Sequence, residues 1–191
     1  MYYNDDRSFT DKVHDEVSVP LIYSRFGWHD SYAADPYEDN NFAVDYHAKD
    51  INDTDIIIQE RFRRSNVASK FKDFTLRYQR PNERQHYSEI YKIYSTALKY
   101  VSTPFFMVYG TVTASLNLLR FVVVDLHNFV DEVSKGHIII GTKDNIFSSV
   151  ENDIFYSGLG YNKDNSSSFV SFDVPLLTSM FPSMILASEG F

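Results

Sequence analysis

Two short strand-like runs, separated by an acidic turn, constrain this chain more than any other feature. Residues 42–48 (FAVDYHA) set Phe42, Val44 and Tyr46 on one face of a strand and Asp45 and His47 on the other. Residues 50–55 (DINDTD) read as a turn and residues 56–63 (IIIQERFR) as a second strand, which together predict a hairpin. Side chains alternate with a period of two, so Gln59 and Arg61 share one face of that second strand. Glu60 falls on the other, with Ile58 and Phe62.

Around the hairpin the pattern predicts an α/β order. Phe9, Val13 and Val17 recur at helical spacing behind a cap at Asp6 or Ser8, and Pro20 should end or kink that helix. Residues 24–40, rich in Asp, Tyr and Asn, read as a loop. Residues 74–80 alternate apolar with basic and predict a third strand, Phe74, Leu76 and Tyr78 on one side and Arg77 on the other. Ser88 caps a helix running to about residue 101. The run after Pro104 and residues 120–125 read as buried strands, a helix from about 126 to 135 closes at Gly136, and residues 137–141 form a short strand. The last fifty residues predict irregular structure, with room for one more strand. There is no repeat and no clear linker, and 191 residues suit a single domain.

Composition removes several chemistries. The chain has no cysteine, which excludes disulfides, thiolate catalysis and cysteine zinc sites and suits a reducing compartment. No apolar run reaches the roughly 20 residues that span a bilayer. Met1 to Asp6 are polar and acidic, unlike a signal peptide, so the expected location is the cytoplasm, with no membrane partner. The six histidines show no HxxxH or HxH spacing, and neither a glycine-rich phosphate loop nor a GxSxG elbow occurs.

The net charge of −8 argues against broad nucleic-acid binding. Its distribution argues otherwise. Residues 61–84 hold eight basic residues against two acidic ones, a local +6 that leaves −14 for the rest. Arg63, Arg64, Lys70, Lys72, Arg77 and Arg80 are the candidate phosphate contacts; a solvated face is the plain alternative.

Taken as far as residue 112, this α-β-β-β-α-β order resembles the common core of PD-(D/E)XK, or restriction-endonuclease-like, nucleases. The resemblance covers roughly residues 8–112, with 113–191 as a C-terminal extension. It implies a mixed central sheet flanked by helices. The family signature is an aspartate at the start of the second strand, then an acid or Gln, any residue, and Lys one strand later. Asp45 matches the aspartate, and Gln59-Glu60-Arg61 stands where the second half belongs. Read as Q-x-R, Arg61 replaces the lysine: it keeps the charge but cannot lose a proton to act as a base. A strand bulge would bring in Glu60 instead. Glu16, with Asp15 as its competitor, matches the helix glutamate that related nucleases place near the metal.

The resemblance thus implies a Mg²⁺- or Mn²⁺-dependent DNA endonuclease. Asp45, Gln59, Glu60, Arg61 and Glu16 would form the catalytic set, and Asp45, Glu60 and Glu16 the metal ligands. A homodimer is allowed by analogy, because cutting both strands usually takes two sites. Glu89 and Lys92, three residues apart on the second helix, either line the site or form a surface ion pair, and His47 lies beside it. Two other functions stay open: a catalytically inactive binding or regulatory protein on the same fold, and an acidic interaction protein that mimics DNA. A basic strip around Asp45 favours the first two readings, a continuous acidic face the third.

Overall fold

The structure is a computed structural model that describes residues 3–65, 72–79, 88–141, 145–162 and 167–191. Helix α1 (Tyr3–Val13) runs into a π-helix (His14–Tyr23) and a final turn, α2 (Ser24–Phe26). Pro20 lies inside the π-helix and does not end it. In an α-helix the proline ring would strike the carbonyl four residues back. Winding with bonds to the fifth residue displaces that carbonyl, which is why the expected stop at Pro20 fails. The stop falls instead at Gly27, whose φ of 67° lets the chain turn back on itself.

The stretch 24–40, expected as a loop, holds strand β1 (His29–Ala33) and helix α3 (Pro36–Asn41) as well as α2. Asp35 caps α3 by accepting from the amides of Tyr37 and Glu38, with Pro36 at its first position. Phe42 closes α3, so the next strand begins later than expected, as β2 (Tyr46–Lys49). Strand β3 (Asp55–Arg64) pairs with it antiparallel, Tyr46 opposite Ile58. The hairpin exists, although its first strand is four residues long.

After β3 come β4 (Asp73–Gln79), α4 (Glu89–Lys99), β5 (Phe105–Val112), β6 (Leu118–Asp125) and α5 (Leu126–Ser134). Ser88 caps α4 through the Tyr91 amide, Asp125 caps α5 through that of Asn128, and Gly136 follows α5 with a φ of 78°. The C-terminal part is more regular than expected. It contains β7 (Ile138–Ile139), β8 (Ser149–Glu151), β9 (Ile154–Tyr156), β10 (Gly158–Tyr161), β11 (Ser168–Asp173), α6 (Val174–Met180) and β12 (Ile185–Glu189).

The central sheet has the order β1-β2-β3-β5-β6-β12 and is mixed: β3 and β5 are parallel and every other pair is antiparallel. β4 does not extend the hairpin. It pairs with β11, in a second sheet of order β10-β11-β4, and a third small sheet has the order β7-β9-β8. The third strand of the expected core is therefore replaced, at the sheet edge, by β1 on the other side of β2. Local alternation identifies a strand; it carries no information about which sheet receives it.

β3 is covered on both faces, and Ile56, Ile57 and Ile58 are all buried. Ile57 joins the larger core with Phe74, Met107, Tyr109, Val122, Phe172 and Leu177, beneath β4, β11, α4, α5 and α6. Ile56 and Ile58 join the smaller core with Ile22, Tyr23, Trp28, Tyr46 and Val108, beneath the π-helix. Residues from 34 to 185 share the larger core, so the C-terminal extension is packed into the same body as the first half. At Gly110 the sheet admits no side chain: a Cβ there would lie 2.3 Å from the Phe62 ring. No described helix is long and apolar enough to cross a membrane.

Candidate functional site: the cleft at Asp45 and Gln59

Asp45 immediately precedes β2, and its backbone is fixed on both sides. Its amide donates to the Ile58 carbonyl at 2.9 Å and its carbonyl accepts from the Ala34 amide at 2.9 Å. The register of the hairpin sets Asp45 beside Gln59, and both line a cleft of about 170 Å³ together with Arg61, Arg77, Glu89 and Lys92. Asp45 Oδ2 accepts from the Glu60 amide at 2.7 Å, a bond across the mouth of the hairpin.

Glu89, in the first turn of α4, ties the cleft together. Its Oε1 accepts from Gln59 Nε2 at 2.9 Å; its Oε2 accepts from the Arg77 amide at 2.7 Å and from the Arg61 guanidinium. This is more than the surface ion pair that spacing alone allows for Glu89 and Lys92. Lys92 enters from the next turn of α4 and donates to the Asp39 carbonyl at 2.9 Å.

Two groups in the cleft are shifted toward their uncharged forms. Burial, reinforced by the carboxylates of Asp39, Glu60 and Glu89, pushes Asp45 up to about 7, against the opposing pull of the Glu60 amide. Burial lowers the Lys92 ammonium from its usual range, assisted by Arg77 and resisted by Asp39, Asp45 and Glu89. Gln59 Oε1 is buried and has no hydrogen-bond partner.

The expected site residues divide. Asp45, Gln59, Arg61 and Arg77 come together in the cleft, with Glu89 and Lys92. The Glu60 backbone borders it, but the Glu60 side chain turns to the opposite face of the sheet, where Oε1 meets His14 and Tyr23; no bulge brings it back. Glu16 is exposed on the π-helix and does not line the cleft, and neither does Asp15. His47 bonds Glu38 at 2.9 Å outside the cleft lining.

The basic residues scatter by the strand's own alternation. Arg63 bonds Thr75 and lies 5.8 Å from the Tyr109 ring centroid, whereas Arg64 points the other way, 4.1 Å from the centroid of Phe9. Lys72 is exposed, and Lys70 and Arg80 lie outside the described residues.

The three expected metal ligands therefore do not converge, and among the described residues no cluster of three or more His, Asp or Glu is arranged to hold a metal. A smaller requirement is met. Mg²⁺ keeps several waters and commonly takes only one or two protein carboxylates plus substrate phosphate. The Asp45 carboxylate and the orphaned Gln59 carbonyl oxygen fit that pattern; Glu60 and Glu16 do not belong to it.

Sequence reasoning missed Asp39 as a wall of the cleft, because α3 was unrecognised, and it missed the whole polar network around Glu60. The signal for that network was present. The buried pairs Val13/His14, Val17/Ser18 and Ile22/Tyr23 recur every four to five residues, a period too long for an α-helix and suited to a π-helix. No known protein family, curated protein or solved structure matches the chain.

Proposed function

We propose that the cleft is a phosphodiester-hydrolysing site of PD-(D/E)XK type, acting on a nucleic-acid backbone with Mg²⁺ or Mn²⁺. One observation carries the reading. Asp45 just before one strand, and Gln59 and Arg61 on its antiparallel neighbour, share one cleft in the order of the family signature, with Arg61 where the signature has lysine. The sheet supports it too, since β1-β2-β3 is antiparallel and β3-β5 parallel across a helix-bearing connection.

Asp45 and Gln59 Oε1 would hold the cation, which when bound supplies charge neutralisation at the scissile phosphate and a more acidic water. Arg61 and Arg77 offer positive charge to the phosphate, and Glu89 fixes the position of Arg61. Arg61 cannot exchange a proton at ordinary pH. Lys92 can, because its burial lowers the cost of losing one; it takes over the role that Arg61 cannot fill.

The test is cleavage of supercoiled plasmid with and without Mg²⁺. Asp45→Ala should abolish nicking, and Lys92→Met should reduce it by about a hundredfold or more. Arg77→Ala should weaken DNA binding in Ca²⁺ and lower the salt slope by about one unit, the amount expected when one phosphate is no longer neutralised. Wild-type nicking retained in Asp45→Ala would remove the reading. The saturation of Arg61 by Glu89 favours a second reading, a protein on this plan that binds without cutting. Salt-sensitive binding with no nicking under any divalent cation would select it.

A further inference from the structure

β3 carries a second polar centre on the face away from the cleft, independent of how the cleft is read. Glu60 is buried beneath the π-helix, and its Oε1 receives two groups: Tyr23 Oη donates at 2.5 Å and His14 Nδ1 lies at 3.1 Å. A carboxylate can only accept, so the His14 proton belongs on Nδ1. That leaves Nε2 as the acceptor, and Nε2 stands 3.2 Å from Ser31 Oγ on β1. We propose that Ser31, His14 and Glu60 are the nucleophile, general base and orienting carboxylate of an acyl-ester hydrolysing site.

The arrangement meets the geometric requirements of a nucleophile–base–orienter chain. The imidazole cannot turn away. It is stacked on Tyr46 at 3.6 Å between centroids with 4° between planes, and it meets Tyr23 edge-on at 5.5 Å. Glu60 Oε2 is buried without a hydrogen-bond partner. A carboxylate left with one unsolvated oxygen attracts an imidazolium more strongly than a hydrated one, which is what the base needs when it takes a proton.

Ser31 stands on the open side. It is half-buried in a depression of about 500 Å³, lined also by Asp11, Asp15, Val19, Tyr32, Ala33 and Tyr46. β1 is an edge strand, its pairing with β2 breaks register between His29 and Tyr32, and Asp30 takes a φ of 51° just before Ser31. A bulged edge leaves backbone amides outside the ladder, the kind of donor that meets a developing oxyanion, and non-glycine residues in this conformation cluster at active sites.

The π-helix makes the chain possible. His14 and Tyr23 are nine residues apart, about two turns at the roughly 4.4 residues per turn of a π-helix. In an α-helix the same spacing is about two and a half turns, and the two side chains would point to opposite sides. The substrate class follows from the lining: a small ester with an apolar acyl group, neutral or cationic, since the two aspartates repel an anion.

In the reaction Ser31 Oγ bonds to the ester carbonyl carbon as its proton passes to His14 Nε2. The bond to the alcohol oxygen then breaks, and the His14 proton goes to that oxygen. Water attacks the acyl-serine by the same route, giving its proton to His14 and returning one to Ser31, so that acid and alcohol leave and the site is restored.

The test uses the full chain with an alkyl fluorophosphonate probe, followed by intact mass and peptide mapping, and with p-nitrophenyl acetate. A single adduct is expected on Ser31, absent in Ser31→Ala and formed at least about a hundredfold more slowly in His14→Gln, with circular dichroism unchanged in both. Turnover of the ester should be lost in Ser31→Ala. Folded wild-type protein with no Ser31 adduct overturns the proposal, as does an undiminished rate of labelling in His14→Gln or of ester turnover in Ser31→Ala. In those cases the network serves only to seat the helix on the sheet.

Discussion

Gln59 and Arg61 look one way from β3, and Glu60 the other. The two faces solve the problem of buried charge differently. On the cleft side a carboxylate, an amide, a guanidinium and an ammonium crowd an open space, and Glu89 neutralises Arg61 while Asp45 stays half-buried with a raised pKa. On the helix side Glu60 is sealed off, with a side-chain exposure of 0%: one oxygen takes a phenol and an imidazole stacked on Tyr46, and the other has no hydrogen-bond partner. The difference teaches that one strand's alternation can serve two centres, one whose charged groups line a cleft directly and one whose buried carboxylate reaches the surface only through His14 and Ser31.

Breaking the sealed side should cost most. Glu60→Ala leaves His14 and Tyr23 buried with their acceptor gone, and should lower unfolding free energy by about 3–5 kcal/mol in urea titrations. A drop under about 1 kcal/mol would mean that the network bears no structural weight and would undo the contrast between the two faces.

The open side should respond to pH instead. Asp45 has a folded value near 7 against an ordinary 3.8, so the folded state binds the extra proton between those values. The stability contributed by Asp45 is thus fully present below about pH 4, declines as pH rises, and is lost above about 7. Asp45→Asn removes this dependence and should gain on the order of 3 kcal/mol at pH 8 and close to nothing at pH 4. Thermal melts of both proteins across that range decide it; a wild type that gains stability from pH 4 to 7 relative to the variant has the wrong sign.

Glu89→Gln keeps the shape of the knot but removes its charge, and should cost about 2 kcal/mol, less than Glu60→Ala, because the Arg61 side chain is 28% exposed. It should also tighten nucleic-acid binding at low salt by freeing Arg61, which fluorescence anisotropy would detect; unchanged or weaker binding would place Arg61 outside the ligand path. Arg64→Ala, on an exposed residue over Phe9, should cost only about 0.5 kcal/mol.

Much of this was legible in the sequence, for reasons tied to burial. The Ile56–Ile58 run marked β3 as a strand, and its period of two assigned Gln59, Glu60 and Arg61 to their faces correctly. β1 was not legible because four of its five residues are exposed and it carries no apolar stripe. The fate of β4 was hidden because its partner, β11, lies about a hundred residues away and pairing is not a local property. The C-terminal strands β8, β9 and β10 are three or four residues long, too short for periodicity to register. The pairing of Asp45 with Gln59 could be anticipated from the hairpin; the bridging role of Glu89 needed the approach of α4.

The π-helix stores a length. Seven residue steps cover about two turns of an ordinary α-helix, and the nine steps from His14 to Tyr23 cover about two turns of the wider one. The segment therefore carries two residues that its endpoints do not need. A chain shortened by one residue here should misalign the endpoints, whereas one lacking both Val19 and Pro20 should rewind as an α-helix and bring His14 and Tyr23 back to Glu60. In this helix a double deletion is the milder lesion and a single deletion the harsher one, the reverse of what a count of missing atoms would suggest.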